Sequence, residues 1–209
     1  ETPRPFRGSG ADDTFSALFL QRNIRHFSMK LELILGGARS GKSRHAEQRA
    51  VDSGLTVTVI ATAEAGDAEM AERIRRHQAD RPAAWRTVEA PVALADMLRR
   101  EAASDRCLIV DCLTLWLANL LAGAEALPPA ASADQLPHFR REHDALLATL
   151  PTLPGHIILV ANEVGLGLVP ETPLGRLFRD EAGRLNQAVA ALCPRVTFVA
   201  AGLPLVMKG

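Results

Sequence analysis

Residues 36–43 read GGARSGKS, and all eight positions fit the pattern Gly-x-x-x-x-Gly-Lys-[Ser/Thr]. The apolar run LELIL leads into them and the helical pattern KSRHAEQRAV leads out. That order dictates a strand, a tight turn and a helix, which restricts the fold more than any other feature of the chain. Gly36 and Gly41 let the backbone turn back on itself, so that Gly37, Ala38, Arg39 and Ser40 point their N–H groups into a concave cradle for phosphate oxygens. A helix starting at Lys42 adds the positive end of its dipole. Lys42 is expected to reach the β- and γ-phosphates of a nucleoside triphosphate, and the Ser43 hydroxyl to hold Mg2+. A glycine-rich turn that binds nothing is the competing reading, and eight matched positions with both flanks correct weigh against it.

Beyond this loop, short apolar runs alternate with helical patterns. Strands are expected at 31–35, 57–61, 85–88, 107–110, 157–161 and 196–200, with a last short one at 203–207. Helices are expected at 42–52, 67–79, 91–103, 113–121, 133–150 and 173–192. Several strand runs are apolar throughout, as strands buried on both faces of a parallel sheet are. The expected fold is α/β: a doubly wound, mostly parallel sheet of the P-loop NTPase (RecA-like) type, in one domain over residues 29–209. The stretch GAEALPPAASA at 123–133 reads as a surface loop. Residues 1–28 differ from the rest, with scattered proline and glycine and one short apolar patch. They read as a leader or an upstream extension of the reading frame, disordered or foreign to the natural chain, with a native arm as the alternative. They lack the ordered parts of a secretory signal.

Composition narrows the partners. The 24 Lys and Arg balance the 24 Asp and Glu, so no basic excess points to nucleic acid or an anionic membrane. No apolar run approaches the ~20 residues that span a bilayer. Cys107, Cys112 and Cys193 are too few and too scattered for a disulfide framework or a zinc ribbon. A soluble, cytoplasmic protein is expected.

A phosphate loop needs an acidic partner for its metal. Asp111 follows the run CLIV, which puts its carboxylate at the carboxyl edge of the sheet, where open α/β folds bind ligands. A cap for the helix from Leu113 is the alternative role. Asn162 and Glu163, after IILVA, hold a similar position and are the second choice. The guanine-reading Asn-Lys-x-Asp motif is absent, since none of Lys30, Lys42 and Lys208 follows an asparagine. The transporter signature Leu-Ser-Gly-Gly-Gln is missing too. A small-molecule kinase or a nucleotidyl transferase remains, with a nucleotide-driven switch as the competitor.

The helical pattern at 67–79 sets Met70, Ile74 and His77 on one face, beside Arg73, Arg75 and Arg76, and Arg81-Pro82 ends it. His77 is then either a core histidine among surface arginines or a group that handles phosphate. Periodicity does not decide between them.

The blocks GGARSGKSRHAE, IATA with the run DAEMAERIRRHQADRPAAWRTVEAP, DCLTLWLANLL, and NEVGLGLVP through FRDEAGRLNQ to AGLPLVMKG together resemble one family. It is the bifunctional adenosylcobinamide kinase/adenosylcobinamide-phosphate guanylyltransferase family of cobalamin biosynthesis. The blocks run in order from about residue 31 to the end of the chain. The resemblance implies two reactions: phosphorylation of the aminopropanol arm of adenosylcobinamide by ATP or GTP, and transfer of GMP from GTP to that phosphate, with pyrophosphate released. It implies a histidine that carries GMP, matched here by His77, and gives His45 no such role. Guanine-nucleotide contacts carried over by position are the loop residues 36–43, Ala61, Thr62, Ala63, Gln78, Ala79, Asp80, Arg81, Glu89 and Asp111. The family often has Glu where this chain has Asp111, which keeps the carboxylate and shortens its reach. No side-chain contact is expected from Ala63.

These residues suit that chemistry. A neutral imidazole, with an ordinary pKa of about 6.5, is a good nucleophile toward phosphorus. Lys42 and the loop N–H groups can stabilise the charge on departing pyrophosphate. A monofunctional P-loop kinase with a structural His77, and a non-enzymatic nucleotide-dependent module, are the alternatives. The resemblance also implies a homo-oligomer, with a trimer as the expected form. The segment after Asn162, with Gly165, Gly167 and Pro170, is expected to shape either a corrinoid mouth or a subunit contact. Trp85 and Trp116 are expected in the core.

Overall fold

A computed structural model describes residues 30–64, 72, 75, 81–122 and 133–209. β1 (Lys30–Gly36) leads into α1 (Lys42–Ser53), followed by β2 (Thr56–Ala61), β3 (Arg86–Glu89), α2 (Leu94–Glu101) and β4 (Arg106–Asp111). Then come α3 (Leu113–Leu120), α4 (Pro137–Thr149), β5 (His156–Asn162), α5 (Pro173–Leu192), β6 (Arg195–Ala200) and β7 (Leu203–Lys208). Among the described residues the strands form one seven-stranded sheet in the order β3-β2-β4-β5-β1-β6-β7. All neighbours are parallel except β6 and β7, which form an antiparallel hairpin at the edge.

Side-chain alternation divides the sheet between two layers. Leu31, Leu33, Leu35, Leu108, Val110, Ile157 and Leu159 face a larger core with residues of α2, α3, α4 and α5. Ile34, Val57, Val59, Ile109, Ile158 and Val160 face α1 through Ala46 and Ala50. Those two alanines let α1 lie close on the sheet, so the helix after the phosphate loop is held against β4 and β5. The continuous apolar strands thus have the cause expected of them, a helical layer on each side. Trp116 is fully buried and its indole N–H donates to the carbonyl of Val92 at 2.8 Å, while Trp85 packs partly buried on the α1 side.

Two expected helices change at their ends. The one expected at 133–150 begins only at Pro137, behind a separate short turn at Ala133–Gln135. Proline pushes the residue before it out of the helical region, and Leu136 is extended, at φ −91° and ψ 107°. The one expected at 91–103 runs only from Leu94 to Glu101. The helix expected at 67–79 lies outside the described residues except for Glu72 and Arg75, which are helical and form an ion pair at 2.6 Å.

The strand order places the site. β5 lies between β1, which feeds the phosphate loop, and β4, which ends in Asp111. Gly36 is opposite Asn162, Asp111 opposite both Val160 and Ala61, and Ala61 opposite Glu89. Gly36, Ala61, Glu89, Asp111 and Asn162 therefore stand along one carboxyl edge.

Candidate active site

The phosphate loop is held by packing at both of its glycines. A Cβ on Gly36 would lie 2.5 Å from both Ser40 Oγ and the carbonyl oxygen of Val199, so no larger residue fits there. Gly41 has φ 95°, and a Cβ on it would come within 3.1 Å of the Gly202 Cα. Gly202 in turn donates its N–H to the Ser40 carbonyl at 2.8 Å. The turn between β6 and β7 thus braces the loop from outside. α1 starts at Lys42 with no side-chain cap, which leaves its first-turn N–H groups to a ligand. Lys42 Nζ donates to the Gly37 carbonyl at 3.2 Å and so lies along the loop. Ser40 Oγ is buried without a hydrogen-bond partner, and Ala38 and Arg39 are exposed.

Asp111 ends β4 on the face that carries α1. Its Oδ2 accepts a hydrogen bond from Arg81 Nη2 at 2.7 Å. Ser43, Glu47, Arg81 and Asp111 line one small cavity, with Ala46 and Val59 in its wall. A hydroxyl and a carboxylate facing one cavity suit Mg2+, a hard ion that takes one or two protein oxygens and fills its other positions with water and phosphate. No group of three or more His, Cys, Asp or Glu suited to a metal occurs among the described residues.

Thr62 is structural as well as adjacent. Its hydroxyl donates to the Cys112 carbonyl at 2.7 Å and accepts from the Cys112 N–H at 2.9 Å. Asn119 Nδ2 donates to the carbonyls of Thr62 and Pro91 at 2.8 and 2.9 Å. These bonds fix the ends of β2 and β4 to each other, beside the cis peptide between Asp111 and Cys112. Ala61 is buried and Ala63 half-buried. Glu89 is exposed at the end of β3, where it lines an open cleft of about 320 Å³ with Pro91, Asp96, Met97 and Arg100.

The structure thus brings Ser43, Arg81 and Asp111 together, and aligns Ala61 and Glu89 in register beside them. His77, Gln78, Ala79 and Asp80 lie outside the described residues. Asn162 and Glu163 do not line the cavity at Ser43: the Asn162 N–H donates to Thr114 Oγ1 at 2.6 Å, and Glu163 Oε1 accepts from the Gly165 N–H at 2.6 Å. Two residues in the site had escaped the sequence reading. Glu47 stands one helical turn after Ser43, a spacing that puts both on one face. Gly202 sits in an Ala-Gly turn between two apolar runs, the signal of a hairpin.

A family model described as cobinamide kinase / cobinamide phosphate guanyltransferase matches residues 32–207. The chain belongs to this family. Among its relatives, the bifunctional adenosylcobalamin biosynthesis protein CobP of Pseudomonas aeruginosa is 57% identical over 178 residues, which is 85% of this chain and 97% of that one. The bifunctional adenosylcobalamin biosynthesis protein CobU of Salmonella typhimurium is 41% identical over 179 residues, 84% of this chain and 98% of that one. Its Escherichia coli counterpart is 40% identical over the same length. An ATPase from the type III secretion system of pathogenic bacteria superposes with a TM-score of 0.50 over 85% of this chain and 56% of its own, at 12% identity. That likeness establishes the P-loop NTPase type of fold alone. A cobinamide kinase and guanyltransferase therefore stands on this α/β sheet, and no helix among the described residues is long and apolar enough to cross a membrane.

Proposed function

We propose that this protein phosphorylates the hydroxyl of adenosylcobinamide with ATP or GTP and then joins GMP from GTP to the new phosphate, giving adenosylcobinamide-GDP and pyrophosphate. The observation that carries this reading is the carboxyl edge itself: a braced phosphate loop on β1, and Ser43, Arg81 and Asp111 around one cavity across β5.

In the first step the loop N–H groups and Lys42 hold the γ-phosphoryl group while the corrinoid hydroxyl attacks it; the oxygen bridging the β- and γ-phosphorus atoms leaves with the nucleoside diphosphate. In the second, an imidazole nitrogen of His77 attacks the α-phosphorus of GTP. The bond to the oxygen bridging the α- and β-phosphorus atoms breaks, and pyrophosphate departs into the same cradle. The phosphate of the corrinoid then displaces His77 from the guanylyl group. Ser43 and Asp111 would hold Mg2+, whose contribution is to neutralise charge on the phosphate oxygens. Ala61, Thr62, Ala63, Gln78, Ala79, Asp80, Arg81 and Glu89 complete the nucleotide contacts in this reading. On the same reading residues 29–209 are the catalytic domain, residues 1–28 are a leader or extension outside it, and the working form is a cytoplasmic homo-oligomer, a trimer.

The test is product analysis by mass spectrometry. Wild-type protein given adenosylcobinamide and ATP should yield the corrinoid phosphate, and adding GTP should convert it to the GDP adduct. Lys42→Ala should lower both rates by about 100-fold or more. Corrinoid phosphate without the adduct would reduce the protein to a kinase. Nucleotide binding without either product would make it a binding module.

A further inference from the structure

The loop after β5 presents an apolar surface with no partner among the described residues. Leu166, Leu168 and Val169 are 84%, 96% and 65% exposed. From Val164 to Pro170 the sequence is VGLGLVP, with no charged or hydrogen-bonding side chain. Exposure of large aliphatic groups this complete, three of them in four residues, marks a surface meant to be covered.

The loop is tied down at both ends. At its start the Glu163 N–H donates to the Gly36 carbonyl at 3.1 Å, and the Gly165 N–H donates to Glu163 Oε1 at 2.6 Å. At its end Arg176 Nη1 donates to the carbonyls of Pro170 and Glu171 at 3.1 and 2.7 Å, and Thr172 Oγ1 caps α5 by accepting from the Gly175 N–H at 3.1 Å. The first of these bonds joins the apolar segment to the first glycine of the phosphate loop. The other exposed apolar group, Leu203, Leu205 and Met207, lies on the outermost strand β7, whose open edge suits strand pairing with another chain. The loop after β5 offers no such edge, only aliphatic side chains on a segment that begins at the bond from Glu163 to Gly36 of the phosphate loop.

We propose that Leu166, Leu168 and Val169 form the docking surface for the hydrocarbon face of the corrinoid macrocycle. The inference rests on the functional reading above. Phosphoryl transfer to a hydroxyl on a large, weakly charged ring needs the ring parked next to the γ-phosphate, and the phosphate loop itself supplies only polar contacts. A short, braced, uncharged segment anchored on Gly36 supplies the apolar contact there. Corrinoid then covers the leucines while its hydroxyl arm reaches the loop.

The test uses the full chain, with a Leu166→Ser/Leu168→Ser double variant and a Leu168→Asp variant. Equilibrium dialysis reads adenosylcobinamide binding by its visible absorbance, a separate titration reads GTP, and light scattering reads molar mass. Both variants should weaken adenosylcobinamide binding by about tenfold or more, with GTP affinity and molar mass unchanged. Corrinoid affinity within about twofold of wild type would overturn the proposal, as would a fall in molar mass, which would make the loop a contact between copies of the chain. Wild-type protein that neither binds nor phosphorylates the corrinoid would overturn the functional reading and this inference with it. Wild-type turnover with unaltered variants would overturn this inference alone.

Discussion

Arg81 Nη2 lies 2.7 Å from Asp111 Oδ2, with the two side chains 7% and 22% exposed. Arg81 follows the segment that carries His77, and Asp111 ends a strand two places from the phosphate loop. One ion pair therefore connects the histidine-bearing segment to the carboxylate expected to serve the metal. Largely withdrawn from water, it is screened less than a surface pair. Removing one partner leaves the other charge uncompensated.

A double-mutant cycle measures that link. Arg81→Ala and Asp111→Ala should each destabilise the fold, and the double variant should be more stable than the sum of the two losses implies. The coupling should be about 1–2 kcal/mol in urea unfolding. Additive losses would mean that the pair contributes nothing in solution.

A second cluster sits at the opposite end of the sheet and governs acid stability. Arg49 Nε donates to Glu32 Oε2 at 3.0 Å, and His156 Nε2 lies 3.1 Å from Glu32 Oε1. Burial pushes the Glu32 carboxyl up, but the hydrogen bonds from His156 and Arg49 and their charges outweigh it and bring its pKa from 4.5 down to about 2. A carboxyl more acidic in the folded chain than in the unfolded one stabilises the fold above its unfolded pKa. That contribution fades as the pH falls from about 4.5 toward 2. It should amount to about 3 kcal/mol when complete. Glu32→Gln should lose roughly that much at neutral pH and show a flatter decline in unfolding free energy on acidification. An acid limb as steep as that of wild type would contradict the assignment.

The three thiols should be inert in the folded protein. Cys107, Cys112 and Cys193 are all buried. Burial raises each thiol pKa, to about 12 for Cys107 and Cys193 and upward for Cys112. The thiolate is the reactive form, so labelling at mildly alkaline pH should be slow in native buffer and fast for all three in denaturant. Fast labelling of any one without denaturant would show that its surroundings open.

Much of this architecture was legible in the chain because its signals are local. Most strands are short apolar runs, with β3 (RTVE) the exception, and eight contiguous residues specify the phosphate loop. Asp111 was legible for the same reason, since a carboxylate just after CLIV must surface where β4 ends. Interactions between distant segments were not. Nothing near Thr62 foretells that its hydroxyl would hold Cys112, fifty positions on, and nothing near Ser40 foretells Gly202. Those contacts depend on the order of strands in the sheet, which apolar patterning leaves open. Pro137 is a local signal set within apolar periodicity on both sides, and it marks where α4 begins.

His77 carries the division of labour between the two reactions, so the decisive measurement is covalent labelling by GTP radiolabelled at the α-phosphate. A γ-labelled control and a His77→Ala variant should be run beside it. Wild-type protein should retain the α-label through base and lose it in acid, as a phosphoramidate does. The His77→Ala variant should take up none, yet still pass γ-phosphate to adenosylcobinamide. Wild-type protein that takes up no α-label while γ-phosphate transfer continues would return His77 to a structural role and leave a kinase.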